Sequence, residues 1–334
     1  MPDRLERVRH ARVPGDQGDV GERRAMNPRW EAWDLLDGEY DVRVLEPSPP
    51  AVPTPPWYAD DPLEGPYGAK LVTPVSGLGR TWDDLARERP ELAGFCADRW
   101  LGAWRRLAPL PREFAATRRT LHALAEHVVA AARYAANGKI GLRFTRGGFG
   151  TPFFGADRQV RVEAGRLVVD DASHAPKTLG EAAGLAGIPP GMPPDVYTPQ
   201  TPADPDLPLT VSPPAAGALG AWYGFAWSVL EQLRLDARPL DPSRVQLWPE
   251  HFDAALDAGD EAAGGRASFG ASPGDAEHPE PYLYVAPWAK RPGAFWTDDA
   301  FGGASLPYSA LLAADDQRAT ALGFFHRGLD ALAG

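Results

Sequence analysis

The hydrophobic pattern of this chain changes its period after Ala135, and this change restricts the fold more than any other sequence feature. Over residues 112–135 apolar side chains recur every three to four positions, which is typical of an amphipathic helix. Beyond that point they alternate with polar residues, beginning with Ile140, Leu142 and Phe144, which predicts antiparallel strands. A helical part followed by strands, with no repeated strand–helix unit, indicates an α+β fold.

The same two periods predict the other elements of the C-terminal part. The predicted strands cover 140–145, 160–163, 166–169, 245–256, 266–270 and 282–287, and the predicted helices cover 112–135, 222–235 and 316–332. The helix over 222–235 is apolar around most of its circumference and must be covered on more than one side. Asp315 is predicted to cap the last helix. We expect an antiparallel sheet in the C-terminal two thirds, packed against several helices and joined by long proline-rich loops.

The 36 prolines concentrate in two stretches. At residues 47–58 their density favours extended polyproline conformation, so the segment is either a stiff connector or a docking segment for an aromatic groove. The second stretch, 189–214, is either a domain boundary or a strap across one fold, and we favour the strap.

These features predict one folded domain over residues 27–334, with a mainly helical part at 27–135 and a sheet-containing part at 136–334. Residues 1–26 interleave arginines with acidic residues and contain no apolar stretch, so they do not form a secretory signal. We predict a disordered leader there, or upstream sequence before a true start at Met26.

Composition excludes several classes of protein. Forty-five acidic residues against 34 basic ones give a net charge of −11, which argues against a nucleic-acid partner. The single cysteine, Cys96, excludes a disulfide framework and is predicted to be a packing residue. No apolar run is long enough to cross a membrane, so we expect a soluble, cytoplasmic protein without membrane partners. The excess of arginine over lysine is typical of a GC-rich bacterial genome.

Two short runs of sequence carry the candidate site, because extended residues two apart project from the same face. In the run 247–253, His251 and Asp253 share a side of the predicted strand. In the run 278–285, a second imidazole and a second carboxylate share a side, at His278 and Glu280. If the two runs lie close together in one sheet, these four side chains converge.

Two alternatives remain open for that cluster. Two imidazoles with one or two carboxylates suit a divalent metal such as Zn²⁺, Mn²⁺ or Fe²⁺, so His251, Asp253, His278 and Glu280 are candidate metal ligands. Without metal the same groups are candidate catalytic residues for general acid–base chemistry. Alternating polar residues on a strand also simply face solvent, which is the ordinary arrangement in an antiparallel sheet.

Aromatic residues beside the cluster indicate a ligand-binding surface. Tyr282, Tyr284 and Trp288 are the candidate ligand-binding residues, since rings on strands and loops often hold sugars or small hydrophobic molecules. Rings of this kind equally fill a core. On the helix 112–135, His122 and Glu126 form a possible ligand pair, although a partly exposed helix face is the interpretation we favour for them and for His127.

Several short segments resemble those of uncharacterised actinobacterial proteins and, more distantly, of a bacterial domain-of-unknown-function family. They are Thr120-Leu121-His122, Gly138 to Arg143, Gly147 to Pro152, Leu247 to Asp253, Glu280 to Trp288 and Leu306-Pro307-Tyr308. The resemblance covers roughly residues 115–330 and implies one continuous α+β unit. It implies no activity and no catalytic residue.

Two functions follow as hypotheses. The first is a small-molecule-binding protein or enzyme whose site lies on the face that carries the His and carboxylate cluster. The alternative is a non-catalytic interaction or scaffold protein that uses its proline-rich and aromatic surfaces.

Overall fold

In a computed structural model of the chain, the described residues are 106–145, 147–151, 158–170, 172–193, 196–235, 242–243 and 245–333. The predictions for the leader at 1–26, for the proline-rich segment at 47–58 and for Cys96 concern residues outside these ranges. They stay predictions.

The predicted helix over 112–135 is interrupted by a wider turn. Helix α1 (Phe114–Leu124) continues as a π-helical segment (Ala125–Ala130) and then as α2 (Ala131–Asn137). Gly138 ends it in the left-handed conformation at φ 72°, which glycine adopts without steric cost. A π-helical turn holds more residues than an α-helical turn, so it rotates the faces of the helix relative to a 3.6-residue wheel.

The predicted antiparallel meander is present as the first of two five-stranded sheets. Its strands follow chain order: β1 (Arg143–Thr145), β2 (Gly148–Gly150), β3 (Val160–Glu163), β4 (Arg166–Val169) and β5 (Ala172–His174). Helix α3 (Leu179–Ala186) follows, and the Thr178 side chain caps it by accepting a hydrogen bond from the Glu181 amide.

The second sheet is built from the last third of the chain. Its strands are β6 (Gln246–Trp248), β7 (Asp253–Ala258), β8 (Ala267–Ser272), β9 (Tyr282–Pro287) and β10 (Ala304–Pro307), again neighbours in chain order. Helices α5 (Tyr308–Ala313) and α6 (Gln317–Ala333) close the fold. The cap of α6 is Asp316, whose Oδ1 accepts from the Ala319 amide, so the prediction of Asp315 was wrong by one residue.

The predicted single strand over 245–256 is wrong. The segment is a hairpin in which β6 and β7 are joined by a turn at residues 249–252. Pro249 has no N–H to donate to a strand ladder, and Phe252 adopts a left-handed conformation at φ 54°, so an extended chain cannot continue through them. His251 therefore lies in the turn and does not share a strand face with Asp253.

Between the two sheets runs α4 (Pro213–Leu235), which contacts α1, α6 and strands of both sheets. Its apolar residues are buried as the sequence predicted, among them Trp222, Tyr223, Phe225, Trp227, Val229, Leu230 and Leu233. The sheets also meet directly, because Leu142 and Leu247 exchange backbone hydrogen bonds of 2.7 and 2.8 Å. The α+β fold class is confirmed.

No helix within the described ranges combines the length and the apolar character needed to cross a bilayer. Location in the cytoplasm stays a prediction.

Candidate functional site

A cleft of about 1170 Å³ opens beside the second sheet. Its walls come from α1, from the β6–β7 turn, from the β8–β9 loop and from the proline-rich strap (residues 188–212, described except for 194 and 195). Of the seven candidate residues on or beside the two sequence runs, four line it: His251, Asp253, Tyr282 and Tyr284. The cleft therefore contains more than half of the predicted candidate site.

Two tyrosine–aspartate pairs lie side by side in the cleft. Tyr282 and Tyr284 project from the same face of β9, and their ring centroids are 6.1 Å apart. The Tyr284 hydroxyl donates a hydrogen bond to Asp253 Oδ2 on β7, and the Tyr282 hydroxyl donates to Asp275 Oδ2 at 2.6 Å. Burial, reinforced by the hydrogen bond to Asp275, raises the pKa of Tyr282 well above its usual value, so this phenol keeps its proton at neutral pH.

The β6–β7 turn is held against the helices by its aromatic residue. The Phe252 ring stacks on the His122 imidazole, with centroids 4.9 Å apart and an interplanar angle of 4°. Its carbonyl oxygen accepts a 2.6 Å hydrogen bond from the Tyr223 hydroxyl of α4. This arrangement buries Glu250 and Asp253 at the cleft and leaves His251 exposed at its edge.

His122 faces the turn as a neutral donor. Its Nε2 lies 2.8 Å from the carbonyl oxygen of Pro249, so this nitrogen carries the proton and donates it. Burial lowers the pKa of His122 to about 4, and the Arg118 charge adds to that effect. The exposed helix face that we predicted for His122, Glu126 and His127 is wrong, since Glu126 and His127 are fully buried and His122 is mostly so.

Glu126 fixes the strap to the helix. It lies in the π-helical segment, and its carboxyl group accepts hydrogen bonds from the amides of Gln200 and Thr201, at 2.8 and 2.9 Å, and from the Thr201 hydroxyl, at 2.5 Å. The neighbouring His127 donates from Nε2 to the Thr201 carbonyl at 2.8 Å and accepts at Nδ1 from the Met192 amide. Two adjacent residues of one turn therefore hold the strap wall of the cleft.

The buried carboxyl group of Glu126 is not in an ordinary electrostatic environment. Burial raises the pKa of Glu126 to about 7, although the hydrogen bonds from Thr201 and Gln200 favour the ionised form. The imidazoles nearby give little compensation, because burial lowers the pKa of His127 as it does that of His122. At neutral pH both imidazoles are therefore uncharged, and only Glu126 is close to the midpoint of its titration.

The other three predicted residues lie outside the cleft lining. His278 packs behind Tyr282, with ring centroids 4.4 Å apart, and its Nε2 is 2.9 Å from Asp298 Oδ2. Glu280 accepts hydrogen bonds from the amide and hydroxyl of Ser309 at the start of α5. Trp288 donates from Nε1 to the Ser268 hydroxyl, and the Arg266 guanidinium lies 4.9 Å from its ring centroid.

The structure thus does not bring the four predicted ligands together. Within the described ranges, no group of three or more His, Cys, Asp or Glu side chains is arranged to hold a metal ion. The arrangement that does occur is a set of hydrogen-bonding oxygens and one buried guanidinium, which suits an organic ligand better than a metal.

Sequence reasoning missed Arg118, Glu250 and Asp275 as cleft residues. One signal was available for Arg118: it lies four residues after Phe114 and three before Leu121, so it occupies the apolar stripe of α1. A charged residue in such a stripe is either paired or functional. Glu250 and Asp275 gave no comparable signal, because turns and loops decide where they point.

No protein-family model matches this chain, and neither do curated proteins or solved structures at a significant level. The resemblance to actinobacterial proteins stays a prediction.

Proposed function

We propose that this protein binds a small polar organic molecule in the cleft between α1, the strap and the second sheet. The observation that carries the proposal is the pair of adjacent tyrosine–aspartate hydrogen bonds inside a cleft of about 1170 Å³. Ligand sites are typically concave, largely apolar and supplied with a few placed polar groups. The phenol and carboxylate oxygens supply acceptors at fixed positions, and Phe252 and Phe301 supply apolar surface.

Construction of the walls supports the same function. Residues far apart in the chain are held around the cleft by buried polar contacts: the strap by Glu126 and the β6–β7 turn by Tyr223. A site whose walls are fixed in advance loses less entropy when its ligand binds. The hydrogen-bonded aspartates are also suitable general bases, so an acid–base reaction on the bound molecule fits the same groups.

A thermal-shift screen against a library of polar metabolites tests this proposal. A binding compound raises the unfolding temperature of the wild-type protein, because binding to the folded state alone stabilises that state. Tyr282→Phe and Tyr284→Phe each remove one hydroxyl, and we expect the dissociation constant to rise about tenfold for a lost hydrogen bond in the site.

Tyr308→Phe is the matched control. This substitution likewise removes one hydrogen-bonded tyrosine hydroxyl, which donates to the Ala108 carbonyl at 2.7 Å. Tyr308 lies outside the cleft. It should leave the dissociation constant unchanged. Failure of the library to yield a compound whose binding depends on Tyr282 or Tyr284 would overturn the proposed function.

A further inference from the structure

Arg118 is a buried cation whose guanidinium has few hydrogen-bond partners within the described part of the chain. The residue is only 9% exposed, at the centre of α1. Within the described residues it forms no ion pair, and its guanidinium makes one long hydrogen bond, from Nη2 to the Asp275 carbonyl at 3.4 Å. Its Nη1 is buried without a hydrogen-bond partner.

This arrangement is unfavourable without a further partner. A guanidinium presents five N–H donors in a planar fork and stays charged in proteins, so burial normally requires acceptors on most of them. Burial lowers the pKa of Arg118, and the opposing attraction of the Asp275 charge does not offset that effect. Native proteins rarely retain an unpaired buried charge unless it has a function.

The nearest acidic side chain is already engaged elsewhere. Asp275 Oδ2 accepts from the Tyr282 hydroxyl, and its Oδ1 accepts from the His278 amide at 2.6 Å. These contacts direct the Asp275 carboxylate towards Tyr282 and His278, so its charge attracts Arg118 but only its backbone carbonyl accepts a hydrogen bond from the guanidinium. The guanidinium therefore lines the cleft with N–H donors that the described residues leave without acceptors.

The β8–β9 loop accommodates the Arg118 guanidinium because it has a glycine at the point of contact. Gly274 adopts φ 97°, a backbone conformation that side chains disfavour, and a Cβ there would lie 2.6 Å from Arg118 Nη1. A larger residue would push the guanidinium away. The loop thus keeps the head of Arg118 next to the two tyrosine–aspartate pairs.

We propose that Arg118 binds an anionic group, a carboxylate or a phosphate, of the molecule that occupies the cleft. The forked donors of arginine match two oxygens of either group, and such charge-assisted hydrogen bonds are the strong ones. The inference rests on the proposed function and narrows it: the ligand is a small organic anion whose hydrogen-bond donors meet the tyrosine and aspartate oxygens.

The test uses inorganic phosphate and acetate as separate probes, at ionic strength held constant with sodium chloride. Each is titrated into wild type, Arg118→Gln and Arg112→Gln while the unfolding temperature is recorded. We expect one probe to raise the unfolding temperature saturably in wild type and in Arg112→Gln, an exposed arginine that lies outside the cleft. In Arg118→Gln the apparent dissociation constant should rise about tenfold or more.

The outcomes separate the ligand classes. A response to phosphate identifies a phosphate monoester as the ligand class, and a response to acetate identifies a carboxylate. An equal response in wild type and Arg118→Gln, or no response in wild type, would overturn the inference.

A second variant excludes misfolding as the cause of a lost response. Arg118→Lys keeps the positive charge and loses the fork, so it should fold and bind the probe more weakly than wild type. If it binds as tightly as wild type, forked recognition is wrong.

Failure of this inference differs from failure of the proposed function. A neutral compound found by the library screen, bound with equal affinity by wild type and Arg118→Gln, would keep the proposed function and overturn the role of Arg118.

Discussion

Burial of His122 and Glu126, one helical turn apart, favours the uncharged form of both side chains. Their side chains approach to 3.8 Å, between His122 Nε2 and Glu126 Oε1. The folded pKa of the glutamic acid is raised to about 7, and that of the histidine is lowered to about 4. Between these two values the folded protein holds a neutral pair, while the unfolded chain holds a glutamate and, up to its own pKa, a charged histidine.

The pair should therefore contribute little to the pH dependence of the free energy of unfolding of the wild-type protein between about pH 4.5 and 6.5. In that range the pair binds the same number of protons in the folded and unfolded states. His122→Gln leaves only Glu126, whose folded form keeps its proton longer than the unfolded form. Relative to wild type, its free energy of unfolding should then fall as the pH rises from about 4 to 6.5, the range in which the removed histidine is protonated only in the unfolded chain. The limit is about 1.4 kcal/mol per pH unit for one proton.

Glu126→Gln should show the opposite slope. It leaves only His122, which binds a proton less readily when folded, so the free energy of unfolding should rise relative to wild type between about pH 4.5 and 7, the range in which the removed glutamic acid is protonated only in the folded protein. Urea unfolding at a series of pH values measures both slopes, and the effects of His127, Glu250 and Arg118 largely cancel in the comparison with wild type. Glu181→Gln, which removes an exposed carboxyl group on α3, is the control. Slopes of the same sign in the two variants would refute the neutral pair.

At the level of elements, the second sheet positions its tyrosine by leaving a space on the neighbouring strand. Gly270 on β8 lies directly opposite Tyr284 on β9. The Tyr284 ring occupies the place of a side chain there, since a Cβ on Gly270 would lie 2.4 Å from Cζ and 2.5 Å from the hydroxyl oxygen. The missing side chain on one strand thus lets the other strand direct its hydroxyl to Asp253.

Gly270→Ala should displace the Tyr284 ring and break its hydrogen bond to Asp253. We expect a loss of about 1–3 kcal/mol in the free energy of unfolding, as for other overpacked cores. Compounds that bind the cleft should also bind more weakly. Gly217→Ala is the control: that glycine lies in α4 with nothing within 4 Å of its Cβ position, so alanine should stabilise the helix by about 0.5–1 kcal/mol. A neutral Gly270→Ala would show that the ring has room to move.

The strap and the π-helical segment are held together by hydrogen bonds between side chains and the backbone. The proline-rich strap has little regular structure, so side chains of another element must satisfy its backbone amides. The π-helical segment supplies Glu126 and His127 on adjacent positions, and both bind Thr201. π-helical turns occur often at functional sites, which agrees with the place of this one beside the cleft.

At the scale of the whole molecule, the two sheets are connected by α4 and by the Leu142–Leu247 bridge. The backbone of Leu107 exchanges hydrogen bonds with the buried Gln317 side chain at the start of α6. These contacts join segments about two hundred residues apart. They bear on the single domain predicted over residues 27–334, which stays a prediction.

We therefore expect the two sheets to unfold together. Native-state hydrogen exchange should give the bridge amides of Leu142 and Leu247 the same free energy of opening as the amides within β3 and β8. Unfolding followed by tryptophan fluorescence and by far-UV circular dichroism should give one coincident transition. Separate transitions for the two sheets would show two units and contradict the single-domain prediction.

The sequence by itself determined the α+β class, the meander and the central apolar helix, because these depend on local periods and on burial along one chain segment. It also singled out four residues that line the cleft. It did not predict the burial of His122, Glu126 and His127. A helical wheel assumes 3.6 residues per turn, so it does not represent the π-helical segment, and it does not include the strap that covers that face.

Tertiary structure alone decided which polar groups meet. His251 lies in a turn and not in the predicted strand, because Pro249 and Phe252 end the extended chain there. His278 and Glu280 contact Asp298 and Ser309 and do not line the cleft. The role proposed for Arg118 depends on elements far away in the sequence, which bury its charge and place the Asp275 carboxylate against Tyr282. Period-based prediction concerns neighbours along the chain, whereas the electrostatics of a cleft depend on neighbours in space.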